Sequence, residues 1–305
     1  MSFAGGFLRF PDLFPGRRSG EAWGDRRVVL DVPGGPYGFD GLSASQEEGV
    51  RDRFAGLCRA GGEAVVESRV FAAPAGDFRE VDTRGWEYTL DLDPSPAALR
   101  FAGLRLMARL DWTPSLSGAL WTPEAEGEAF WPVLENVFRV LAAYRLLETG
   151  GAVLHSAAVT DGEAAWLLLG PSGAGKTTAA GLCRDRGAMV LSDDLNAVVL
   201  GDGAPRVVRL PFTGDLGGER PAEGPGSFPL RAVLRLVKGS EHRVRPLSSA
   251  RALAGLLAAA PFVNRDPWRE EALLEVLERL SRAVPGYELV FSREGGLWDS
   301  LKDLP

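Results

Sequence analysis

The sequence predicts an α/β protein in which an N-terminal region of mixed α+β character precedes a core built on a parallel sheet. Three observations carry this. The first third alternates short apolar segments with turn residues; a helical pattern sets in at Pro132; and near the middle an apolar segment runs into a glycine-rich turn and then a helix.

The elements follow in order. Arg27 to Val32, Ala64 to Ala72 and Trp86 to Leu92 are rich in β-branched and aromatic residues and bounded by glycine, proline or aspartate, as strands are. Ser45 to Ala60 reads as a helix. Ala97 to Trp112 suits either a strand pair or an amphipathic helix, because its apolar positions satisfy both periods. From Pro132 to Thr149, Val133, Val137, Leu141 and Tyr144 form one helical stripe with Leu134, Phe138 and Leu147 beside it, and Gly150-Gly151 ends it. A domain junction ahead of this helix divides the chain into 1–128 and 129–305. Two apolar segments follow, separated by Thr160-Asp161-Gly162-Glu163, where Asp-Gly favours a two-residue hairpin turn. In that register Thr160 faces Glu163, and His155 lies opposite Leu168. Beyond them the pattern gives a helix at Thr177 to Arg186 and a strand at Ala188 to Ser192, then a strand at Leu230 to Val237. Helices at Ser248 to Ala258 and Pro267 to Ala283 and a strand at Tyr287 to Phe291 complete it.

Bulk properties narrow the function. With 305 residues, 45% of them hydrophobic and 25% charged, the chain has the composition of a soluble globular protein with a sizeable core. A formal charge of -7 argues against a surface built to neutralise a phosphate backbone, so nucleic acid is not expected as a partner. Two cysteines, Cys58 and Cys183, and two histidines, His155 and His242, show no zinc-ligand spacing and suggest a disulfide-free cytoplasmic chain. The N-terminus is broken by Arg9, Asp12 and two prolines before a signal-peptide core develops, and no apolar run reaches the roughly 18 residues of a membrane span. No membrane association is expected.

The string GPSGAGKT, Gly170 to Thr177, matches G-x-x-x-x-G-K-[ST] with a buried strand before it and a helix after it. This is a P-loop. Gly173 and Gly175 let backbone N–H groups approach phosphate oxygens without an intervening Cβ. Only three lysines occur in the chain, and one of them, Lys176, stands where a slim ammonium is needed beside the β- and γ-phosphates. Thr177 is placed to ligate magnesium, and the helix N-terminus adds partial positive charge. Gly170, Pro171, Ser172, Gly173, Ala174, Gly175, Lys176, Thr177 and Thr178 are thus the expected nucleotide-binding residues. One helix later, Asp193-Asp194 end a short apolar strand. A strand-helix-strand crossover brings both strand ends to one sheet edge, close to the phosphates. Adjacent residues at a strand end point in opposite directions, so one carboxylate can hold metal and the other can take a proton from an attacking hydroxyl. A solvated Asp-Asp pair capping a strand is the plain alternative. For His155, likewise, a satisfied histidine on a buried strand is the plain reading.

LHSAAV, GPSGAGKTT and the spacing on to VLSDD resemble the C-terminal kinase domain of HPr kinase/phosphorylase and its relatives, within the wider group that includes phosphoenolpyruvate carboxykinase. The resemblance covers about the last half of the chain and implies a P-loop kinase core of that type. It also implies that Asp193 is the general base, that Asp194 and Thr177 serve magnesium, and that His155 lines the same pocket with Lys176. A metal-associated glutamate of that family would fall on Glu219, beside Arg220, although the surrounding GDLGGERPAEGPGS lacks the family's E-x-R-G stretch. The loop that recognises a protein substrate in that family has no counterpart here, and residues 1–128 carry no assignable chemistry.

The implied activity is ATP- and magnesium-dependent transfer of the γ-phosphoryl group to a hydroxyl, that of serine in a small protein or peptide, by a chain that forms homo-oligomers as HPr kinases do. The alternatives are a nucleotide-binding switch without phosphotransfer and a kinase of a small metabolite. Against the switch, the chain has no NKxD string, the nearest being Asn264-Arg265-Asp266, and no LSGGQ after the P-loop.

Overall fold

A computed structural model describes residues 20–59, 61–78, 90–212, 214–216, 226–293 and 296–304. It is mixed α/β and divides into two compact units, Met1–Arg145 and Leu146–Pro305. The division falls near the C-terminal end of the long helix that follows the junction expected at 128/129.

In the first unit, strands β1 (Arg26–Leu30), β2 (Tyr37–Leu42), β3 (Cys58–Arg59), β4 (Val66–Ala72), β5 (Asp91–Pro94), β6 (Ala98–Gly103), β7 (Leu106–Asp111) and β8 (Ser117–Thr122) form one sheet in the order β3-β1-β2-β4-β8-β7-β6-β5. The ambiguous segment 97–112 is the antiparallel hairpin β6-β7, turning at Arg105 in the left-handed region. The expected helix at 45–60 is shorter. Helix α1 (Ala44–Arg53) opens on a reciprocal capping box between Ser43 and Gln46, and the chain then turns through Gly56, at φ 85°, into β3. Helix α2 (Gly127–Glu148) begins five residues before the expected Pro132, which lies inside it. The Gly127 N–H donates to Ser45 Oγ at 3.1 Å, so a side chain distant in sequence anchors a first turn that Pro132 had masked. Within this unit Phe138 of α2 meets Tyr37, Phe39 and Phe54 edge-on, with centroids 5.0, 5.6 and 6.0 Å away. Of the expected strand 86–92, residues 86–89 lie outside the described residues.

The second unit carries β9 (Gly151–His155), β10 (Ala157–Thr160), β11 (Ala165–Leu169), α3 (Lys176–Arg184), β12 (Met189–Ser192), β13 (Leu195–Val199), β14 (Arg206–Arg209), β15 (Ser227–Lys238), β16 (Arg243–Pro246), α4 (Ser249–Ala259), α5 (Glu270–Ala283), β17 (Gly286–Phe291) and α6 (Leu297–Lys302). Its strands pair in the order β12-β10-β11-β15-β14-β13-β9. The long β15 pairs on one side with β14 through its first residues and with β17 through its last, and β16 pairs with β17. β11, β15 and β17 run parallel, with Trp166 of β11 fully buried against Trp298 of α6. Ala179, Ala180 and Cys183, small and fully buried, give α3 a flat face in this core.

Two expectations are corrected here. The hairpin register is Ala157↔Leu168 to Thr160↔Ala165, so His155 does not face Leu168. The Thr160 hydroxyl donates to the Ala164 carbonyl at 2.6 Å, and the Asp161 carboxylate accepts from the N–H groups of Glu163 and Ala164, which closes a four-residue loop in place of a two-residue turn. The strands flanking α3 are not neighbours, because β10 lies between β11 and β12 and is antiparallel to both. Even so, the C-terminal ends of β11 and β12 share an edge, which is what the crossover argument requires. No described helix is long and apolar enough to cross a membrane.

Candidate functional site

β11 is buried throughout and ends at Leu169, where the chain turns sharply. A Cβ on Gly170 would meet the Ala174 side chain at 2.6 Å, and Gly175, at φ 99°, would press one onto the Phe291 ring at 2.8 Å, so the turn closes only with glycine at these places. α3 then starts at Lys176 with Gly175 as its N-cap and no side-chain cap, leaving first-turn N–H groups for another acceptor. Lys176 is buried. Its Nζ donates to the Gly170 carbonyl at 2.9 Å, and burial lowers its pKa, an effect that Asp194 and then Asp193 oppose through their charge.

The two aspartates stand where the chain steps between strand sets. β12 passes into β13 at Asp193-Asp194, and β9 passes into β10 at Ser156. These two steps are tied together. The Ser156 N–H donates to the Asp194 carbonyl at 2.9 Å, and the fully buried Asn196 amide donates to the Ser156 carbonyl at 2.8 Å. The Asp194 N–H donates to Ser192 Oγ at 3.1 Å. Such a polar hub satisfies backbone groups that leave one ladder before joining the next. The Asp193 carboxylate is buried and accepts the Leu216 N–H on Oδ1 at 3.0 Å, and Gly214 packs so closely on it that a Cβ there would lie 2.3 Å from Oδ1.

His155 comes to this place by a route the hairpin argument did not contain. It ends β9 and pairs with Leu195 of β13, the residue after Asp194. Its Nδ1 stands 3.4 Å from Asp194 Oδ1, and its side chain is half exposed.

One cavity of about 800 Å³ gathers these groups: His155, Lys176, Thr177, Thr178, Asp193 and Asp194, with Ser172, Gly173 and Gly175 of the turn. Gly170, Pro171 and Ala174 shape the turn and do not line this cavity. Glu219 and Arg220 lie outside the described residues. The cavity also takes Asp215, Lys238, Phe291 and Arg293, which the sequence reading missed. A signal for three of them existed. Lys238 and Phe291 end β15 and β17, and Arg293 follows, so all sit at the carboxyl edge of strands parallel to β11, where α/β sheets bind ligands. No three His, Cys, Asp or Glu side chains among the described residues are grouped closely enough to hold a metal ion. Thr177 and Asp194 would suit a hard cation that draws the rest of its shell from phosphate oxygens and water, as magnesium does.

Comparison with known proteins gives three results. Among solved structures, the HPr(Ser) kinase/phosphatase from Coxiella burnetii is 15% identical over 43% of this chain and 88% of that one, with a TM-score of 0.22, too low to carry an argument about the fold. Among curated proteins none matches. A family model described as SynChlorMet cassette protein ScmC matches residues 129–304, more than half of the chain and all of the cavity, and the chain therefore belongs to the ScmC family.

Proposed function

We propose that the cavity binds ATP with magnesium and transfers its γ-phosphoryl group to a hydroxyl, that of a serine in a small protein or peptide. One observation carries the reading: Lys176, Asp193, Asp194 and His155, separate in sequence, line one cavity around an uncapped helix N-terminus and a glycine-rich turn. These are the parts of a P-loop kinase. The turn's N–H groups and the first turn of α3 hold phosphate oxygens, and Lys176 swings from the Gly170 carbonyl to the β- and γ-phosphates. Bound magnesium would neutralise phosphate charge, held through Thr177 and Asp194.

Asp193 is the general base. The Leu216 N–H occupies Oδ1 and leaves Oδ2 for a proton. As the serine oxygen forms its bond to the γ-phosphorus, Asp193 takes the hydroxyl proton. The bond to the bridging oxygen breaks, and ADP leaves with the electron pair. His155, against Asp194, steadies that carboxylate and borders the acceptor's approach. A cytoplasmic setting, where ATP is available, agrees with the free thiols of Cys58 and Cys183.

The test is phosphotransfer from γ-labelled ATP to serine-containing acceptors by the wild type, Asp193→Asn and Lys176→Ala. Asp193→Asn is expected to lower turnover by about 10²–10⁴ while nucleotide still binds. Lys176→Ala should lose nucleotide binding. Unchanged transfer by Asp193→Asn would refute the general base, and tight nucleotide binding with no labelled acceptor would favour a switch.

A further inference from the structure

We propose that the acceptor is seated in a second cavity on the other side of the glycine-rich turn, and that it is a short peptide segment carrying its serine beside small apolar residues and a carboxylate. The proposal rests on the phosphotransfer reading and adds the substrate's chemistry. This second cavity has a volume of about 640 Å³, within the roughly 300–1,000 Å³ of ligand sites and far too small for a folded domain. It shares His155 and Ser172 with the first, so an occupant that reaches past them arrives beside Asp194.

Its walls are mostly apolar. Leu169 and Pro171 form one side. On the other, Ala254, Gly255 and Ala258 lie on a single face of α4, at the i, i+3, i+4 spacing that puts them in line with Arg251. Of the buried residues of α4, Ala252, Leu256 and Ala259, the last also borders the cavity. Ala254 and Ala258 are exposed, so the cavity is open along the helix and an extended chain can continue over it, which favours a peptide over an enclosed small molecule.

Two guanidinium groups set the charge. Arg251 stands in the first turn of α4, where a cation opposes the helix dipole and the turn itself carries no acidic residue. Among the described residues Arg235 pairs with Glu288, at 3.7 Å, beyond hydrogen-bond distance, and its side chain is half exposed. A carboxylate in the cavity would complement the guanidiniums that line it. Apolar walls, two arginines, and His155 and Ser172 shared with the phosphoryl site thus define an occupant with an apolar body, an anion and a hydroxyl.

The experiment measures binding and transfer separately. A panel of fluorescein-labelled peptides is used, each with one serine, alanine neighbours and one aspartate or glutamate, and each with a lysine counterpart in place of the acid. Anisotropy is read with a non-hydrolysable ATP analogue present, for the wild type, Arg251→Glu and Ala258→Trp, and transfer is followed with γ-labelled ATP. The acidic peptides are expected to bind, to lose about tenfold or more in affinity with either variant, and to be replaced by the lysine peptides on Arg251→Glu. Nucleotide affinity should stay unchanged in both variants. Absence of acidic-peptide binding to the wild type, or equal affinity in all three proteins, would overturn the proposal, as would a loss of nucleotide affinity in the variants, which would make the cavity part of the nucleotide site. Variant-sensitive peptide binding without any transfer would uphold the cavity assignment and refute the kinase reading.

Discussion

Charge is handled differently among the ion pairs of the first unit and at the cavity of the second. In the first, half-buried and buried charges pair with one another: Glu135 takes Arg53 at 2.9 Å and Arg139 at 2.8 Å, Asp111 takes Arg109 at 3.0 Å, and Arg27 joins Glu67 at 2.8 Å. In the second, the buried Lys176 and Asp193 stand in one cavity without a described ion pair, Lys176 held by a carbonyl and Asp193 by an N–H. Paired charges complete a structure, whereas charge kept out of ion pairs at a cavity is available to a ligand.

The strongest way to break this contrast is Lys176→Met. If Lys176 is reserved for phosphate, the variant should lose roughly 100-fold or more in nucleotide affinity, about 2.7 kcal/mol, by calorimetric titration. The ligand-free protein should at the same time gain thermal stability. Burial holds the folded-state pKa of Lys176 below its ordinary 10.5, so the unfolded chain binds more protons between those two values and stability rises with pH across them. The variant's advantage in Tm should therefore be full below the folded-state pKa and close as pH climbs towards 10.5. A lower Tm for the variant at neutral pH would show that the lysine is satisfied where it lies.

Glu135→Ala probes the opposite case. It leaves two guanidiniums facing a lost carboxylate and should cost roughly 2 kcal/mol, less than the about 3–5 of a fully buried pair, because Arg53 and Arg139 are 19% and 23% exposed. Thermal denaturation should report that loss while nucleotide affinity stays unchanged. A large change in affinity would erase the distinction between the units.

The smallest effect expected is in thiol chemistry. Burial in α3 pushes the Cys183 thiol up to about 12, whereas Cys58, also raised by burial but pulled back by Arg51, is only partly covered. Labelling at mildly alkaline pH should modify Cys58 alone in the folded protein and Cys183 only after denaturation, as mass spectrometry would show. Early modification of Cys183 would mean that α3 opens readily.

Much of the architecture was legible in local pattern. The strands at β1, β4, β15 and β17 and the helices α3, α4 and α5 follow from runs of β-branched residues and helical stripes, with ends displaced by a few residues. The starts of α1 and α2 depended on neighbours. The expected α2 began at Pro132, where the apolar stripe sets in, yet Ser45, far away in sequence, receives the true first turn at Gly127. The β6-β7 hairpin was undecided for a related reason: an apolar run satisfies either period until a partner strand is present.

The sequence by itself determined the glycine-rich turn and the aspartate pair, because both are local. Left-handed glycines, an uncapped helix start and carboxylates at a strand end need only their immediate neighbours. Tertiary structure alone decided how His155 arrives, through β9 against β13 and not through the hairpin, and it ordered the strands whose ends carry Lys238, Phe291 and Arg293 so that all three share one edge. Register and strand order are properties of pairs of distant segments: two more residues in one hairpin loop give Leu168 to Ala157, and the step at Ser156 hands His155 to β13, without leaving a mark on local pattern.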